Sequence, residues 1–263
     1  VEAVTQLTDR SEALVRVDGR IFTERRLYAA DSAFFAVFGG VELLRGNPET
    51  ALTDADAVVL TRSTAERYFG RTDVLGETIQ IDEETHRVTG VVADVPANAH
   101  FHFDLLTKLQ LSPVLAQSWM NNSQYTYAKL ADTHDRAAFA EKLAQLTKRY
   151  VGPQAAEALG VPMGQWMSQN DWRYFPQRLT EIHLYSNLQY ELEPTGSMAY
   201  VWTFSIVALF ILLIACINFT NLVTARATER AGEVGMRKAL GAQRRQLAGQ
   251  FLGEAVLTTA VAF

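Results

Sequence analysis

A long apolar stretch near the C-terminal end, VWTFSIVALFILLIACINFTNLV at residues 201–223, decides the fold of this protein. No charged residue occurs between Glu193 and Arg226. At about 1.5 Å per residue, a helix over this stretch reaches about 34 Å, enough to cross a hydrocarbon core of about 30 Å. A tyrosine and a tryptophan lie at its start, as interface aromatics do. We expect a transmembrane helix at residues 200–224, because a buried helix of a large soluble protein seldom runs so long without a charge.

A run rich in arginine and lysine follows directly, ARATERAGEVGMRKALGAQRRQLAGQF at residues 225–251. Between Arg226 and Arg245 it carries six basic residues against two glutamates. Basic residues collect on the cytoplasmic flank of a membrane span. The sequence therefore predicts that residues 226–248 are cytoplasmic and that residues 1–195 are periplasmic or otherwise extracytoplasmic.

Length, charge and cysteine content narrow the class of protein. The chain has 263 residues, room for one sizeable domain and an appendage. Its net charge of -5 argues against nucleic-acid binding, which needs a cationic surface. The single cysteine, Cys216, lies inside the proposed span, so the outer region can form no internal disulfide.

The two ends of the sequence predict a piece of a longer membrane protein. The chain opens VEAVTQLTDR, with neither a methionine nor an apolar run that would export a large domain. Residues 249–263 begin a second apolar run that is too short to span a bilayer. We therefore expect a signal sequence or a span upstream of the first residue, and we interpret residues 249–263 as the truncated start of another transmembrane helix.

The outer region mixes strand and helix patterns, which predicts an α+β domain. AVVLT at residues 57–61 is typical of a buried strand. Ser63 and Glu66 have the spacing of a capping box that opens a helix, and Gly70 is placed to end it. The β-rich runs ETIQI and HRVTGVVADV follow, with turn residues between them, and predict a hairpin.

The remainder of the outer region has weaker patterns. SQYTYAKL at residues 123–130 alternates like a strand, and Asp132 is placed to cap an amphipathic helix at residues 135–150. Residues 151–165 are rich in glycine and proline and predict a loop or flexible insertion. PQRLTEIHLY at residues 176–185 predicts a returning strand.

Motifs for catalysis or cofactor binding are missing from the sequence. His100 and His102 alternate with Asp104 close by, but without a third ligand at a recognisable spacing, so structural histidines are favoured over a metal site. The sequence contains no G-x-S-x-G, H-E-x-x-H or C-x-x-C motif. GRTDVLGET at residues 70–78 lacks the Gly-Lys-Ser/Thr of a phosphate-binding loop, so we expect no cofactor in this chain.

The basic run also carries a helix pattern of its own. Glu233 precedes Arg237 at a spacing that forms an ion pair, and Gly241 follows where a left-handed helix cap fits. This pattern predicts a short cytoplasmic helix, a break, and a second helix that returns to the membrane. A plain positive-inside loop needs the charges but not the small and apolar residues between them, so we favour a docking helix.

The basic run, with FILLIACINFTNL before it, resembles the first cytoplasmic loop and flanking spans of MacB/FtsX-like ABC transporter permeases. Upstream, YAADSAFFAVFGGVELLRGNP, VVLTRSTAERYFG, GVVADVPANAHFHFD and LTEIHLYSNLQYELEPTGS are similar to the periplasmic core domain of that family. The resemblance implies a periplasmic core domain at residues 1–195 with two subdomains, the smaller and β-rich one at about residues 22–100. A span at residues 200–224 and a cytoplasmic coupling-helix loop at residues 225–248 follow.

The resemblance also implies partners and a mechanism. The implied ATPase-coupling residues are Glu233, Met236, Arg237, Leu240 and Gly241. They would rest on a separate ABC ATPase subunit, which binds and hydrolyses ATP, so the permease itself is no enzyme. Closure of the ATPase would move the spans and the periplasmic domains of two permease copies or homologous halves, for efflux or extraction across the bacterial inner membrane.

Two asparagines in the predicted span are candidates for contacts with a neighbouring helix. Asn218 and Asn221 lie one turn apart near the inner end of the span, where they could hydrogen-bond a neighbouring helix or simply sit at the interface.

One alternative function is an FtsX-type regulator of a cell-wall hydrolase, and another is an extracytoplasmic sensor domain of a membrane signalling protein. A periplasmic adaptor or hydrolase is a further candidate partner, and membrane lipid would surround the span.

Overall fold

The chain divides into two compact units, Val1–Thr195 and Gly196–Phe263. The computed structural model describes residues 1–10, 12–131, 136–170, 172–229 and 231–262. The first unit is a mixed domain of strands and helices, and the second consists of helices and their connections over its described residues. The expected helix cap Asp132 lies outside the described residues.

One mixed sheet dominates the described part of the first unit. Its strands are β1 Ala3–Arg10, β2 Ala13–Val17, β3 Arg20–Glu24, β4 Leu27–Ala30, β5 Leu43–Gly46, β6 Ala57–Thr61, β7 Thr78–Ile81, β8 Glu84–Val92, β9 Leu105–Lys108 and β10 Tyr125–Lys129. Their order is β10-β1-β4-β9-β6-β8-β7-β2-β3, and β5 pairs with β8 outside this path. The pairs β4 with β9 and β6 with β8 are parallel. The strands predicted at residues 57–61 and 123–130 are confirmed as β6 and β10, and the predicted hairpin as β7 and β8.

The sheet carries an apolar core on each face. β6 is buried at all of its positions, because it lies between β8 and β9 in the middle of the sheet. Val58 and Leu60 belong to one core, and Val59, between them, belongs to the other. This alternation follows from the period of two along a strand. At the sheet margin, β2 alternates buried and exposed residues, as a strand with one face in water does.

The first unit also contains helices, of which the first two along the chain pack against strands of the sheet. Within the described residues they are α1 Phe34–Val37, α2 Arg62–Phe69, α3 Pro113–Gln117, α4 Arg136–Leu146, α5 Gly152–Leu159, α6 Met163–Gln169 and α7 Leu179–Tyr185. A π-helical turn, Thr147–Val151, joins α4 to α5.

The helix predicted after residue 63 and its end at Gly70 are confirmed as α2, but the predicted N-terminal cap is not. Gly70 ends the helix with φ +68°, the left-handed conformation that glycine adopts without strain. The predicted cap Ser63 is wrong, because Thr61 Oγ1 accepts the hydrogen bond from the Thr64 N–H at 3.4 Å. The Ser63 N–H donates to Asp94 Oδ1 at 2.9 Å instead. β6 continues into α2 without a loop, so the last strand residue is also the cap.

The loop predicted at residues 151–165 is helical. It contains the end of the π-helical turn, all of α5 and the start of α6. Pro153 lies in the first turn of α5, where a missing N–H is tolerated. Gly160 has φ +65°, and the Val161 N–H donates to the Ala156 carbonyl at 3.1 Å, which closes the helix end. Glycine and proline therefore mark helix ends here rather than a loop.

The strand predicted at residues 176–185 is also wrong, because Leu179–Tyr185 forms α7. A short apolar run fits both the strand and the helix period. At the start of this helix the side chains of Arg178 and Glu181 pair at 3.6 Å one turn apart, an i,i+3 contact that a strand does not allow.

The second unit contains α8 Met198–Glu229, α9 Ala231–Ala239 and α10 Arg244–Ala262. Among the described residues, one helix is long and apolar enough to cross a membrane, Met198–Arg226 within α8, whose most apolar 18-residue window has a mean hydropathy of 2.5. It includes the whole of the predicted span at residues 200–224. The predicted break after the basic helix lies between α9 and α10.

Candidate functional site

α8 exposes apolar side chains over its whole surface. None of its most apolar window is buried by the rest of the chain, and Phe210, Ile211 and Leu212 are 60%, 63% and 60% exposed. A helix that is apolar on every side needs a surrounding that is apolar too. The hydrogen bonds of polar side chains on α8 fit an apolar surrounding. The Thr220 hydroxyl donates to the Cys216 carbonyl at 2.8 Å, within its own helix.

Asn218 and Asn221 are polar exceptions on α8. Both residues are exposed, one turn apart. Unlike the threonine hydroxyls, their amides make no hydrogen bond within the described residues. An amide left unsatisfied in hydrocarbon is costly, so these side chains are available to a neighbouring helix. The interhelical role expected for them stays a prediction.

The C-terminal end of α9 is fixed by a glycine cap. Gly241 has φ +93°, and its N–H donates to the Lys238 carbonyl at 3.1 Å. The Ala242 N–H donates to the Arg237 carbonyl at 3.0 Å. These two bonds form a Schellman motif, which requires the left-handed residue that glycine supplies. The chain therefore turns sharply at Gly241, as the sequence pattern predicts.

An ion pair organises the exposed face of α9. Arg237 Nη2 donates to Glu233 Oε1 at 2.5 Å, the i,i+4 pair expected from the spacing. Arg237 also donates from Nη1 to Gln250 Oε1 at 3.0 Å, which ties α9 to α10. The sequence spacing gave no signal for Gln250, because it belongs to another helix.

Two large apolar side chains, one on α9 and one at its C-terminal cap, are exposed. Met236 is 67% exposed and Leu240 is 83% exposed. Leu240 lines a shallow groove between α9 and α10. The groove is also lined by Arg237, Gly241, Ala242, Gln246, Leu247 and Gln250. Exposed apolar side chains beside a charged pair are typical of a protein-binding surface.

α10 begins with a cap of its own. The Gln243 N–H donates to Gln246 Oε1 at 3.2 Å, and the Gln246 N–H donates to the Gln243 carbonyl at 3.0 Å. This reciprocal arrangement satisfies donors that the first turn of a helix leaves open. The turn between α9 and α10 is therefore held at both ends, and it presents Met236 and Leu240 from a defined backbone.

The histidines of the first unit have protein partners. His100 Nε2 lies 3.0 Å from the Tyr127 hydroxyl. His102 Nδ1 lies 2.9 Å from the carboxylate of Glu193, and its Nε2 lies 2.9 Å from the Pro96 carbonyl oxygen. Within the described ranges, His, Cys, Asp and Glu side chains form no group of three or more that could hold a metal ion. The structural role favoured for these histidines agrees with this geometry.

Burial shifts the titration of several groups in the first unit. Desolvation lowers the pKa of His86 and of His100 below the ordinary value. Desolvation and the hydrogen bond that the Tyr68 hydroxyl donates to Glu24 raise the pKa of Tyr68 far above its ordinary range. Glu24 is buried and also pairs with Arg67 at 2.9 Å, so this cluster joins β3 to α2. Its members have partners within the domain, and we assign it a structural role.

Two family models match the chain. Residues 1–146 match the MacB-like periplasmic core domain, which is more than half of the chain. Residues 205–263 match the FtsX-like permease C-terminal model, which includes most of α8 and all described residues of α9 and α10.

Similar proteins agree with these matches. The macrolide export ATP-binding/permease protein MacB of Aggregatibacter actinomycetemcomitans is 25% identical over 268 residues, which cover 98% of this chain and 36% of that protein. The protein of the same name from Chromobacterium violaceum is 28% identical over 205 residues, covering 78% of this chain and 28% of that protein. The chain thus spans about a third of the length of these curated relatives.

A solved structure resembles the first part of the fold. It is described as a domain of a permease protein from Porphyromonas gingivalis, with a TM-score of 0.51 and 26% sequence identity. The match covers 57% of this chain and 70% of that one. The sheet domain therefore has a counterpart of known structure.

Proposed function

Because the chain belongs to the MacB/FtsX-like family of ABC transporter permeases, we propose that it passes the movement of an ATPase across a membrane to its sheet domain. In this proposal α9 rests on a separate ATPase subunit and α8 crosses the bacterial inner membrane. The unit Val1–Thr195 then lies in the periplasm. The relatives are named for macrolide export, which supports efflux or extraction of a substrate as the outcome.

The exposed face of α9 carries the proposal. It follows the candidate span directly in the chain, and Met236 and Leu240 leave apolar surface open beside the ion pair of Glu233 and Arg237. A partner that covers this face buries apolar surface and meets a fixed pair of charges. A plain loop between spans needs neither the ion pair nor the Schellman cap at Gly241. These features support the coupling helix expected at residues 225–248.

We infer the orientation of α8 in the membrane from the basic residues at and beyond its C-terminal end. The exposed basic residues Arg226, Lys238 and Arg244 lie on its C-terminal side, and basic residues collect in the cytoplasm. An ATPase that uses cytoplasmic ATP would meet α9 on that side. In this proposal the partner binds and hydrolyses ATP, and residues 1–263 carry no P-loop motif of their own. The permease itself then carries out no catalysis.

A second permease copy, or a homologous half, completes the proposed assembly. α8 is uncovered, and the amides of Asn218 and Asn221 are available on it. Hydrogen bonds from such amides to a neighbouring span would help to transmit a helix movement. Lipid would cover the remaining apolar surface of α8.

The permease function is favoured over the two alternatives. The match of residues 205–263 to a permease model favours further spans over a signalling module. The curated relatives named here carry export names, and neither name mentions a cell-wall hydrolase. An FtsX-type regulator is therefore not favoured.

A charge swap on α9 tests the proposal. We expect the double variant Glu233→Lys with Arg237→Glu, in the full-length permease in nanodiscs, to lose ATPase copurification and permease-stimulated ATP hydrolysis. The swapped pair keeps an i,i+4 attraction, so α9 should stay folded. Surface changes of this kind cost within about 0.5 kcal/mol of stability. Misplacing a charge in a buried interface costs ~2–5 kcal/mol of binding.

The matched control is the same swap on the first unit. Glu12 and Arg25 are exposed and pair at 3.3 Å, so Glu12→Lys with Arg25→Glu changes a comparable ion pair far from α9 in the chain. This control should keep full binding and stimulation. If the α9 variant also keeps both, the basic run is only an orientation signal and the proposed coupling is wrong.

A further inference from the structure

The segment between α7 and α8 returns to the sheet before it reaches the span. Residues 186–197, all of them described, contain neither a helix nor a strand. The Ser186 hydroxyl donates to the Glu191 carboxylate, which closes the first part of the segment on itself. Leu192 and Glu193 then contact the sheet domain.

Leu192 supplies the apolar half of this contact. It is 9% exposed and belongs to the apolar core that contains Phe101 and Phe103. The Tyr28 hydroxyl donates a long hydrogen bond to the Leu192 carbonyl at 3.5 Å. Burial raises the pKa of Tyr28 far above its ordinary value, so this hydroxyl keeps its proton.

Glu193 supplies the polar half. Its Oε1 accepts the backbone N–H of His102 at 2.6 Å, and both carboxylate oxygens lie 2.9 Å from His102 Nδ1. His102 Nε2 faces the Pro96 carbonyl oxygen, which can only accept. The Glu193 carboxylate thus contacts both the backbone N–H and the ring of His102, and the ring lies between Glu193 and Pro96. Charge-assisted hydrogen bonds of this kind are the stronger ones.

The contact enters the sheet at its centre. His102 lies between Phe101 and Phe103, whose side chains are buried in the core. Three residues later the chain becomes β9, which pairs with β4 on one side and β6 on the other. A displacement of His102 is therefore passed to a central strand rather than to a sheet edge.

The contact is also close to the span along the chain. Only residues 194–197 separate Glu193 from Met198, the first residue of α8. An extended chain covers at most about 3.3–3.6 Å per residue, so the Cα atoms of Glu193 and Met198 are within about 18 Å of each other. A movement of the start of α8 that exceeds this slack must pull on Glu193.

We propose that Leu192 and Glu193, held by Tyr28 and His102, form the point at which movement of α8 enters the sheet domain. We call these contacts the Glu193 anchor. The inference rests on the proposed function, because it names the positioning residues through which the span would act. With the Glu193 anchor broken, residues 186–197 become slack and α8 can move without moving β9.

Hydrogen exchange in the full-length permease with its ATPase tests the anchor in two arms. Without nucleotide, Glu193→Ala should speed exchange of the His102 amide by about tenfold or more, because this N–H donates to the Glu193 carboxylate and the variant removes that charge-assisted hydrogen bond. With a non-hydrolysable ATP analogue, wild type should change its exchange at residues 101–108. The variant should lose this change while it still binds the ATPase.

Glu191→Ala is the matched control, because Glu191 is a neighbouring carboxylate whose bond partner, Ser186, lies within the segment. It should keep the nucleotide-dependent change at residues 101–108. Exchange at β6 checks that each variant is folded, and Glu193→Gln, which keeps the acceptor for the His102 N–H, should give an intermediate effect.

Each remaining outcome contradicts a different statement. Equal exchange of the His102 amide in wild type and Glu193→Ala would show that no anchor exists, whatever the function. A Glu193→Ala variant that keeps the nucleotide-dependent change would overturn the anchor and leave the proposed function standing. A wild type that binds the ATPase yet shows no nucleotide-dependent change in residues 1–195 would overturn the transmission itself, and the anchor with it.

Discussion

The two units use the same apolar residue types in opposite ways. In the first unit, Phe34 and Leu60 are 0% exposed, whereas on α8 Phe210 and Leu212 are each 60% exposed. The first unit buries apolar side chains in clusters of its own, whereas none of the most apolar window of α8 is buried among the described residues. Residue type alone therefore does not separate a buried core from an apolar surface that the described residues leave exposed. The continuity of the apolar run does.

Polar groups show the same difference. In the first unit, Glu24 on β3 pairs with Arg67 on α2 at 2.9 Å, a contact between residues far apart in sequence. On α8, the Thr224 hydroxyl donates to the Thr220 carbonyl at 2.7 Å, one turn away. A domain in water can depend on long-range pairs, whereas a helix in lipid must satisfy its polar groups within itself or on a neighbouring helix.

The largest expected effect lies in the core of the first unit. Phe34→Ala removes a fully buried ring that contacts Phe38 and Phe103, and it should cost about 3–5 kcal/mol of unfolding free energy. Phe175→Ala, at a ring 63% exposed, should cost within about 0.5 kcal/mol. Urea unfolding of residues 1–195, which we expect to fold alone, measures both. Equal losses, or an unfolded wild-type fragment, would contradict a self-sufficient first unit.

The second largest expected effect compares an arginine placed on α8 with an arginine placed on α5. Leu212 on α8 and Leu159 on α5 are 60% and 61% exposed, so an arginine at either position meets whatever surrounds the chain there. Leu212→Arg should disfavour membrane insertion by about 3 kcal/mol, because arginine is costly at the centre of a span. Leu159→Arg should change stability by less than about 0.5 kcal/mol. The inserted fraction in a glycosylation-reporter assay, with unfolding as the companion measurement, decides. Unimpaired insertion of Leu212→Arg would argue against a lipid surrounding.

The smallest effect concerns a buried histidine of the first unit. His86 is 3% exposed, and its ring nitrogens have no hydrogen-bond partner within the described residues. Burial lowers its pKa in the folded state, although Glu84 at 3.8 Å acts in the opposite direction. The stability that depends on neutral His86 is therefore complete above the unfolded pKa of about 6.5 and is lost as the pH falls from there through the lower pKa of the folded state.

Thermal unfolding of residues 1–195 between pH 7.5 and pH 5 measures this dependence. His86→Leu, which removes the titrating group, should flatten the decline relative to wild type. His183→Gln is the control, since His183 is exposed on α7 and should leave the slope as it is. A His86→Leu slope as steep as that of wild type would show that burial of His86 does not cause the loss.

Local signals in the sequence predicted the elements that depend on local physics. The charge-free run predicted α8, and the spacing of Glu233 and Arg237 predicted the ion pair of α9. Gly70 and Gly241 were found from sequence because a left-handed helix cap needs glycine. Each of these features is decided within a few residues or one helix.

Features that depend on tertiary contacts were missed or misassigned. Glu193 and His102 lie 91 positions apart, and no sequence spacing relates them. Leu179–Tyr185 became a helix, although its short apolar run fits both periods. The cap of α2 moved from Ser63 to Thr61 because β6 ends directly at the helix, a boundary that pattern alone does not place.

One measurement tests most directly whether α8 spans the membrane with the first unit outside and α9 inside. In a Cys216→Ala background, Ser123→Cys and Gln243→Cys place single thiols at exposed positions on either side of α8 in sequence. An impermeant thiol reagent, applied to intact cells with a permeabilised outer membrane, should label Ser123→Cys at once and Gln243→Cys only after the inner membrane is opened. Labelling of Gln243→Cys alone in intact cells would contradict the orientation and the coupling role of α9, and labelling of both would contradict the span.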